Sequence, residues 1–236
     1  MRAALRWVRD VLWADLDATT PAGYRPDDVR AVFSGGSAGA FGAVYNYHWV
    51  LDDLRWPRTT SVSDAGLGLS NGSINGVAGI GIFITGDNAW GARSLLPPYC
   101  DEAICAVVPA IEEASSHRLE AFPEQRFVNV SNQVDTTQSS TTRLPNLRSW
   151  IDALRVSYCQ VRGTPGIQYF LSAITSHRHT LMANSNYTST TSLGEPLNVH
   201  LGGLLASPGT ITDRVEEGDV AAVHGAIPFP CALDTP

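Results

Sequence analysis

The feature that most constrains the fold is residues 29–54, where three local patterns follow one another without a spacer. Residues 29–33, Val-Arg-Ala-Val-Phe, form a short apolar run with β-branched and aromatic side chains, as expected of a buried parallel strand. Ser34-Gly35-Gly36-Ser37-Ala38-Gly39 follows at once, with side chains too small to pack a strand and glycines that suit a sharp turn. Phe41, Val44, Tyr45, Trp49 and Leu51 then mark a helix running to about Leu54. A strand, a tight turn and a helix joined so closely make up the first part of a parallel crossover, and they direct the chain toward an α/β architecture.

The rest of the chain repeats the alternation. Leu5, Val8, Leu12 and Leu16 predict an amphipathic opening helix that stops near Ala18, before Pro21, Gly23 and Pro26. Residues 60–63 give a weak strand, 126–130 and 167–173 stronger ones. Helices are expected from Asp101 to about Ser116, through Leu147, Trp150, Ile151, Leu154 and Tyr158 up to Gly163 and Pro165, and from about Leu197 to Ala206. The glycine-rich residues 64–98 read as a cap or insertion, and 207–236 as a loosely ordered tail. The expected fold is one domain over 1–236, a doubly wound, mostly parallel sheet.

Composition excludes several functions. The net charge is −7 with no basic cluster, so no nucleic-acid surface is expected. All 16 cationic residues are arginine, which rules out a Schiff-base lysine, a P-loop lysine and a Ser-Lys pair. The longest apolar stretch, residues 76–85, is far short of a membrane span, and the charged residues of 1–16 leave no apolar core for an export signal. Cys100, Cys105, Cys159 and Cys231 contain no C-x-x-C pair; disulfides are permitted, with three pairings open. No cofactor is called for. The sequons at Asn71, Asn129 and Asn186 matter only in a glycosylating host.

Gly35-Gly36-Ser37-Ala38-Gly39 matches G-x-S-x-G in the strand-turn-helix context that gives the motif meaning. A serine there projects its hydroxyl above the sheet, and the Ala38 amide at the helix N-terminus faces a developing oxyanion. Ser37 is the candidate nucleophile; the competing reading is a glycine turn or an anion-binding loop. A serine needs a histidine base and an orienting carboxylate, ordered Ser, Asp, His in this fold. Asp135 follows the 126–130 strand and His179 follows the 167–173 strand, where such loops converge. His177 rivals His179, and Asp64, which also follows a predicted strand, is the competing acid. Asp64 comes early for the acid position and reads as a turn or substrate-side residue. A metal at the two histidines lacks an accompanying carboxylate or cysteine at ligand spacing. Trp90 and Tyr99 suit stacking on a sugar or lining an acyl pocket.

These residues carry a resemblance. The run from Ser34 to Gly42 followed by Asn46, then Asp64-Ala65-Gly66, Cys100 to Cys105, Asp135-Thr136-Thr137-Gln138 and His179-Thr180-Leu181, together resemble the pectin acetylesterase and Notum family of serine esterases over about residues 28–182. The resemblance implies an α/β-hydrolase fold, secretion or periplasmic residence, and removal of acyl groups, typically acetyl from polysaccharides or a fatty acyl group from a protein. It carries the nucleophile onto Ser37, the acid onto Asp135 and the base onto His179. Asp64 and Gln138, inside the matching stretches, are the candidate substrate-binding residues, and the partner is an acylated small molecule or polysaccharide. The chain departs from the family at His48, where an aspartate is usual, and at Ser176-His177-Arg178, where bacterial members tend to have glycine. Only 36 residues precede Ser37, whereas the family has several earlier strands and a glycine-rich loop donating a second oxyanion hydrogen bond, so the chain reads as N-terminally incomplete. The alternative expectation is a noncatalytic carbohydrate-binding or interaction protein on the same scaffold.

Overall fold

The computed structural model describes residues 2–19, 30–54, 58–66, 72–74, 77–79, 124–141, 144–207 and 212–233. Its centre is a five-stranded, wholly parallel sheet: β1 (Ala31–Gly36), β2 (Thr59–Asp64), β3 (Arg126–Asn132), β4 (Ile167–Ser172) and β5 (Arg214–Val215), lying side by side in chain order. Gly36 pairs with Asp64, Asp64 with Val130, and Val130 with Phe170, so the C-terminal ends of four strands share one edge of the sheet. β1 closes one side among the described residues, and its exposure alternates along its length, with Val32 49% exposed.

Both faces carry helices because successive residues of the buried strands point opposite ways. On one face Phe127, Tyr169 and Leu171 pack with Phe41, Val44 and Tyr47 of α2 (Ala38–Trp49). Trp150, Ile151, Leu154 and Tyr158 of a later helix, Leu147–Val161, join the same core. On the other face Val62, Val128, Val130 and Phe170 meet Leu197, Leu201 and Leu204 of the helix Leu197–Ala206. This is the doubly wound α/β arrangement of an α/β-hydrolase-like fold.

Several elements differ from expectation for local reasons. α2 does not run unbroken to Leu54; it passes into a π-helical turn, Val50–Leu54, that buries Asp53 beneath Arg2 and Arg6. Arg2 above all, with Arg6, holds the Asp53 carboxyl below its ordinary range. Both arginines belong to α1 (Arg2–Thr19), which lays Leu5 and Val8 against Val50 and Leu54. Leu5 and Val8 of the expected stripe are covered in this way, whereas Leu12 is 45% exposed. β2 is longer and more central than its sequence suggested: Thr59, Thr60, Ser61 and Ser63 are fully buried, and hydroxyl side chains conceal a strand from hydropathy.

The expected loose tail is a further correction. Residues 214–215 join the sheet as β5, Val220–His224 forms a helical turn, and Cys231 is disulfide-bonded to Cys159 of the helix Leu147–Val161. Arg155, fully buried on that helix, donates to the Ile227 carbonyl, pairs with Glu217 and stacks on the Phe229 ring at 4.6 Å. A two-residue strand is too short to leave a periodic signal. The expected helix over 101–116, most of the 64–98 cap, Cys100, Cys105, Trp90 and Tyr99 lie outside the described residues. Within that cap, Gly72–Ile74 pairs antiparallel with Val77–Gly79. Among the described residues no helix is long and apolar enough to cross a membrane.

Candidate active site

At the shared C-terminal edge, β1 runs straight into α2 through one residue. Ser37 takes φ 52° and ψ −119°, outside the regions comfortable for a residue with a side chain. Its amide donates to the Asp64 carbonyl at 2.9 Å, which binds the strained turn to the neighbouring strand. The turn is tight enough that β1 and α2 nearly touch, and Gly66 makes a similar approach, with the position of a Cβ there only 2.2 Å from Ala40 Cβ. Ala38 opens α2, so its amide is among those an α-helix leaves without an intrahelical partner.

The base and acid come from the loops after β4 and β3. His179 Nε2 lies 2.8 Å from Ser37 Oγ, and His179 Nδ1 lies 2.8 Å from Asp135 Oδ2. Asp135 is fully buried, and its Oδ1 accepts the Gln138 amide at 3.0 Å, capping the short helix α3 (Thr136–Thr141). One carboxylate oxygen is thus fixed by the helix it caps, and the other is aimed at the imidazole. The acid and base loops are joined by Asn132, whose Nδ2 donates to the carbonyls of Val134 at 2.9 Å and Ser176 at 3.0 Å. The Arg178 amide adds a bond to the Val134 carbonyl at 3.3 Å.

His177 takes no part in this chain of contacts. It is exposed, its Nδ1 accepts the Thr136 amide at 3.1 Å, and it sits 2.8 Å from Thr136 Oγ1. Only Arg178 lies between the rivals, and the course of the loop brings His179 to the serine and His177 against Thr136 at the start of α3.

A cavity of about 330 Å³ opens on Ser37 and His179 and is lined also by Ala38, Phe41, Ala65, Thr137, Gln138 and Thr141. Gln138 is 1% exposed, and neither atom of its side-chain amide has a partner among the described residues. Asp64 does not line this cavity. Both of its oxygens accept main-chain amides, Leu181 at 2.8 Å and Met182 at 2.7 Å, and burial raises its carboxyl above the ordinary range despite those bonds. A carboxylate so engaged, and 1% exposed, sits against the base loop.

The arrangement is the serine hydrolase triad in an α/β-hydrolase fold: a nucleophile hydrogen-bonded to its base, the base oriented by a buried carboxylate, and a helix-terminal amide beside the nucleophile. Sequence reasoning missed Asn132, which lies at the end of β3 three residues before the acid, and Thr137 and Thr141, which line the cavity at helical spacing. No protein-family model matches the chain, and no curated protein matches it.

Proposed function

We propose that the chain is a carboxylic ester hydrolase of the pectin acetylesterase and Notum kind, removing O-acyl groups, acetyl foremost, from a polysaccharide or a smaller acylated alcohol. The observation that carries the reading is the relay of 2.8 Å contacts from Ser37 Oγ through His179 to Asp135. In the reaction Ser37 Oγ attacks the ester carbonyl carbon while its proton passes to His179 Nε2. The carbonyl electrons move onto oxygen, where the Ala38 amide donates to the oxyanion. Collapse expels the alcohol, which takes the proton from His179. Water then attacks the acyl-serine with His179 again as base, releasing the acid and restoring Ser37. Asp135 keeps the imidazole in the tautomer whose Nε2 accepts the serine proton.

The size of the cavity supports a short acyl group. A volume of about 330 Å³ is at the small end of ligand pockets. Its walls at Ala38, Phe41 and Ala65 suit a methyl group, while Gln138, Thr137 and Thr141 supply polar groups for the alcohol side. The Cys159–Cys231 disulfide supports an oxidising location, secreted or periplasmic, for the working enzyme.

The test is acetate release from an aryl acetate and from an acetylated polysaccharide, by the parent and by Ser37→Ala. Turnover of both substrates that falls by at least about 10³-fold in the variant is the expected result. Release that survives the substitution would remove Ser37 from the mechanism, and binding of the polysaccharide without any release would leave the scaffold as a carbohydrate-binding protein.

A further inference from the structure

Asp64 occupies the last position of β2, in register with Gly36, the residue immediately before the nucleophile. Its main-chain carbonyl accepts the Ser37 amide at 2.9 Å. Its side chain reaches the opposite partner of the pair: Oδ1 accepts the Leu181 amide at 2.8 Å and Oδ2 the Met182 amide at 2.7 Å, two and three residues beyond His179. One residue therefore grips the nucleophile turn through its main chain and the base loop through its carboxylate.

We propose that Asp64 is a positioning residue that sets the separation of Ser37 Oγ and His179 Nε2 by holding both of their loops at once. The proposal rests on the esterase reading above and adds to it a residue that touches neither substrate nor the reacting atoms.

Three features of the structure favour this role over ordinary core packing. First, Thr180, between His179 and the two bonded amides, sits at φ 57°, a region that a β-branched residue enters only when its surroundings force it. The fork of bonds from Asp64 supplies that force. Second, the chemistry is particular to aspartate at this length: two successive amides require two acceptor atoms, whereas asparagine offers one acceptor and a donor that would face an N–H. Third, a carboxyl group at 1% exposure is costly in a core, and an apolar side chain would pack there at lower cost. A Cβ on Gly36 would come within 3.5 Å of Thr180 Cγ2 and 3.9 Å of Asp64 Oδ2, so the nucleophile turn, the clamp and the base loop form one contiguous body.

The experiment is a double-mutant cycle read by the second-order rate at which a fluorophosphonate labels Ser37, using the parent, Asp64→Asn, His179→Ala and the double variant, with a thermal melt for each. Asp64→Asn is expected to remain folded and to label about 10- to 100-fold more slowly, while in the His179→Ala background it costs less than about twofold further. Labelling of Asp64→Asn within about twofold of the parent overturns the proposal, and so do losses that multiply across the cycle, because a residue acting through His179 has nothing left to lose once His179 is gone.

Native-state hydrogen exchange on the parent needs neither a foldable variant nor turnover. The amides of Ser37, Leu181 and Met182 are expected to open in one event with a common dependence on denaturant. Free exchange at Leu181 and Met182 while Ser37 stays protected overturns the clamp. A parent whose Ser37 does not label, yet whose three amides open together, would sink the esterase reading and leave the clamp standing.

Discussion

A Cβ placed on Gly35 would lie 2.2 Å from the carbonyl oxygen of Gly39, which is main chain and has no way to turn aside. The first and last glycines of the motif are therefore unequal, because nothing lies within 4 Å of a Cβ placed on Gly39. Gly35→Ala is expected to destabilise the protein by about 1–3 kcal/mol or more, through a displaced turn that also misplaces Ser37. Gly39→Ala, on a helix, is expected to gain about 0.5–1 kcal/mol. Thermal melts of the two variants check the order, and an equal loss in both would contradict it.

The two histidines of the base loop separate cleanly. His179→Ala is expected to lower ester hydrolysis by at least about 10³-fold, in keeping with the loss of a triad base. His177→Ala removes the contacts to Thr136 on an exposed surface, and its hydrolysis is expected to stay within about threefold of the parent. Initial rates on an aryl acetate decide, and a collapse confined to His177→Ala would reverse the assignment.

These outcomes turn on how much the residues show before folding. Ser37 is legible because the strand, the glycines and the helix are local, and so are the β-branched and aromatic runs of β3 and β4. Asp135 and His179 are legible only as residues that follow strands in the right order, and the choice between His177 and His179 depends on a contact spanning 142 residues. β2 is hard to read because buried threonines and serines look like a loop, and β5 because two residues carry no period. The bonds from Asp64 to Leu181 and Met182 are invisible in sequence, since each joins residues more than 100 positions apart and uses main-chain amides that any residue would supply.

Removal of the Cys159–Cys231 disulfide tests the order of the C-terminal segment. The bridge spans 72 residues, and its loss is expected to cost about 2–4 kcal/mol. Arg155, Phe229 and Glu217 still hold the segment, so a cooperative transition should persist. Melts of Cys159→Ser with Cys231→Ser measure the cost, and an unchanged midpoint would show that the bridge adds nothing to the folded state.

Burial raises the Asp64 carboxyl in the folded protein, which fixes the sign of a pH effect. Its contribution to stability is full below the ordinary carboxylate value and is lost as pH rises through the raised one. Asparagine at this position carries no such dependence. The midpoint of Asp64→Asn relative to the parent is therefore expected to rise as pH increases from about 4 to 8. A difference that shrinks over this range would mean that the folded protein favours the charged form.

The most direct test of the central claim is mass mapping of the purified chain after treatment with a serine-directed fluorophosphonate. The account predicts one adduct, on Ser37, at a rate that falls sharply in His179→Ala, because the hydroxyl 2.8 Å from the imidazole is the activated one. A folded sample that takes no adduct, or one labelled at another serine, would contradict it.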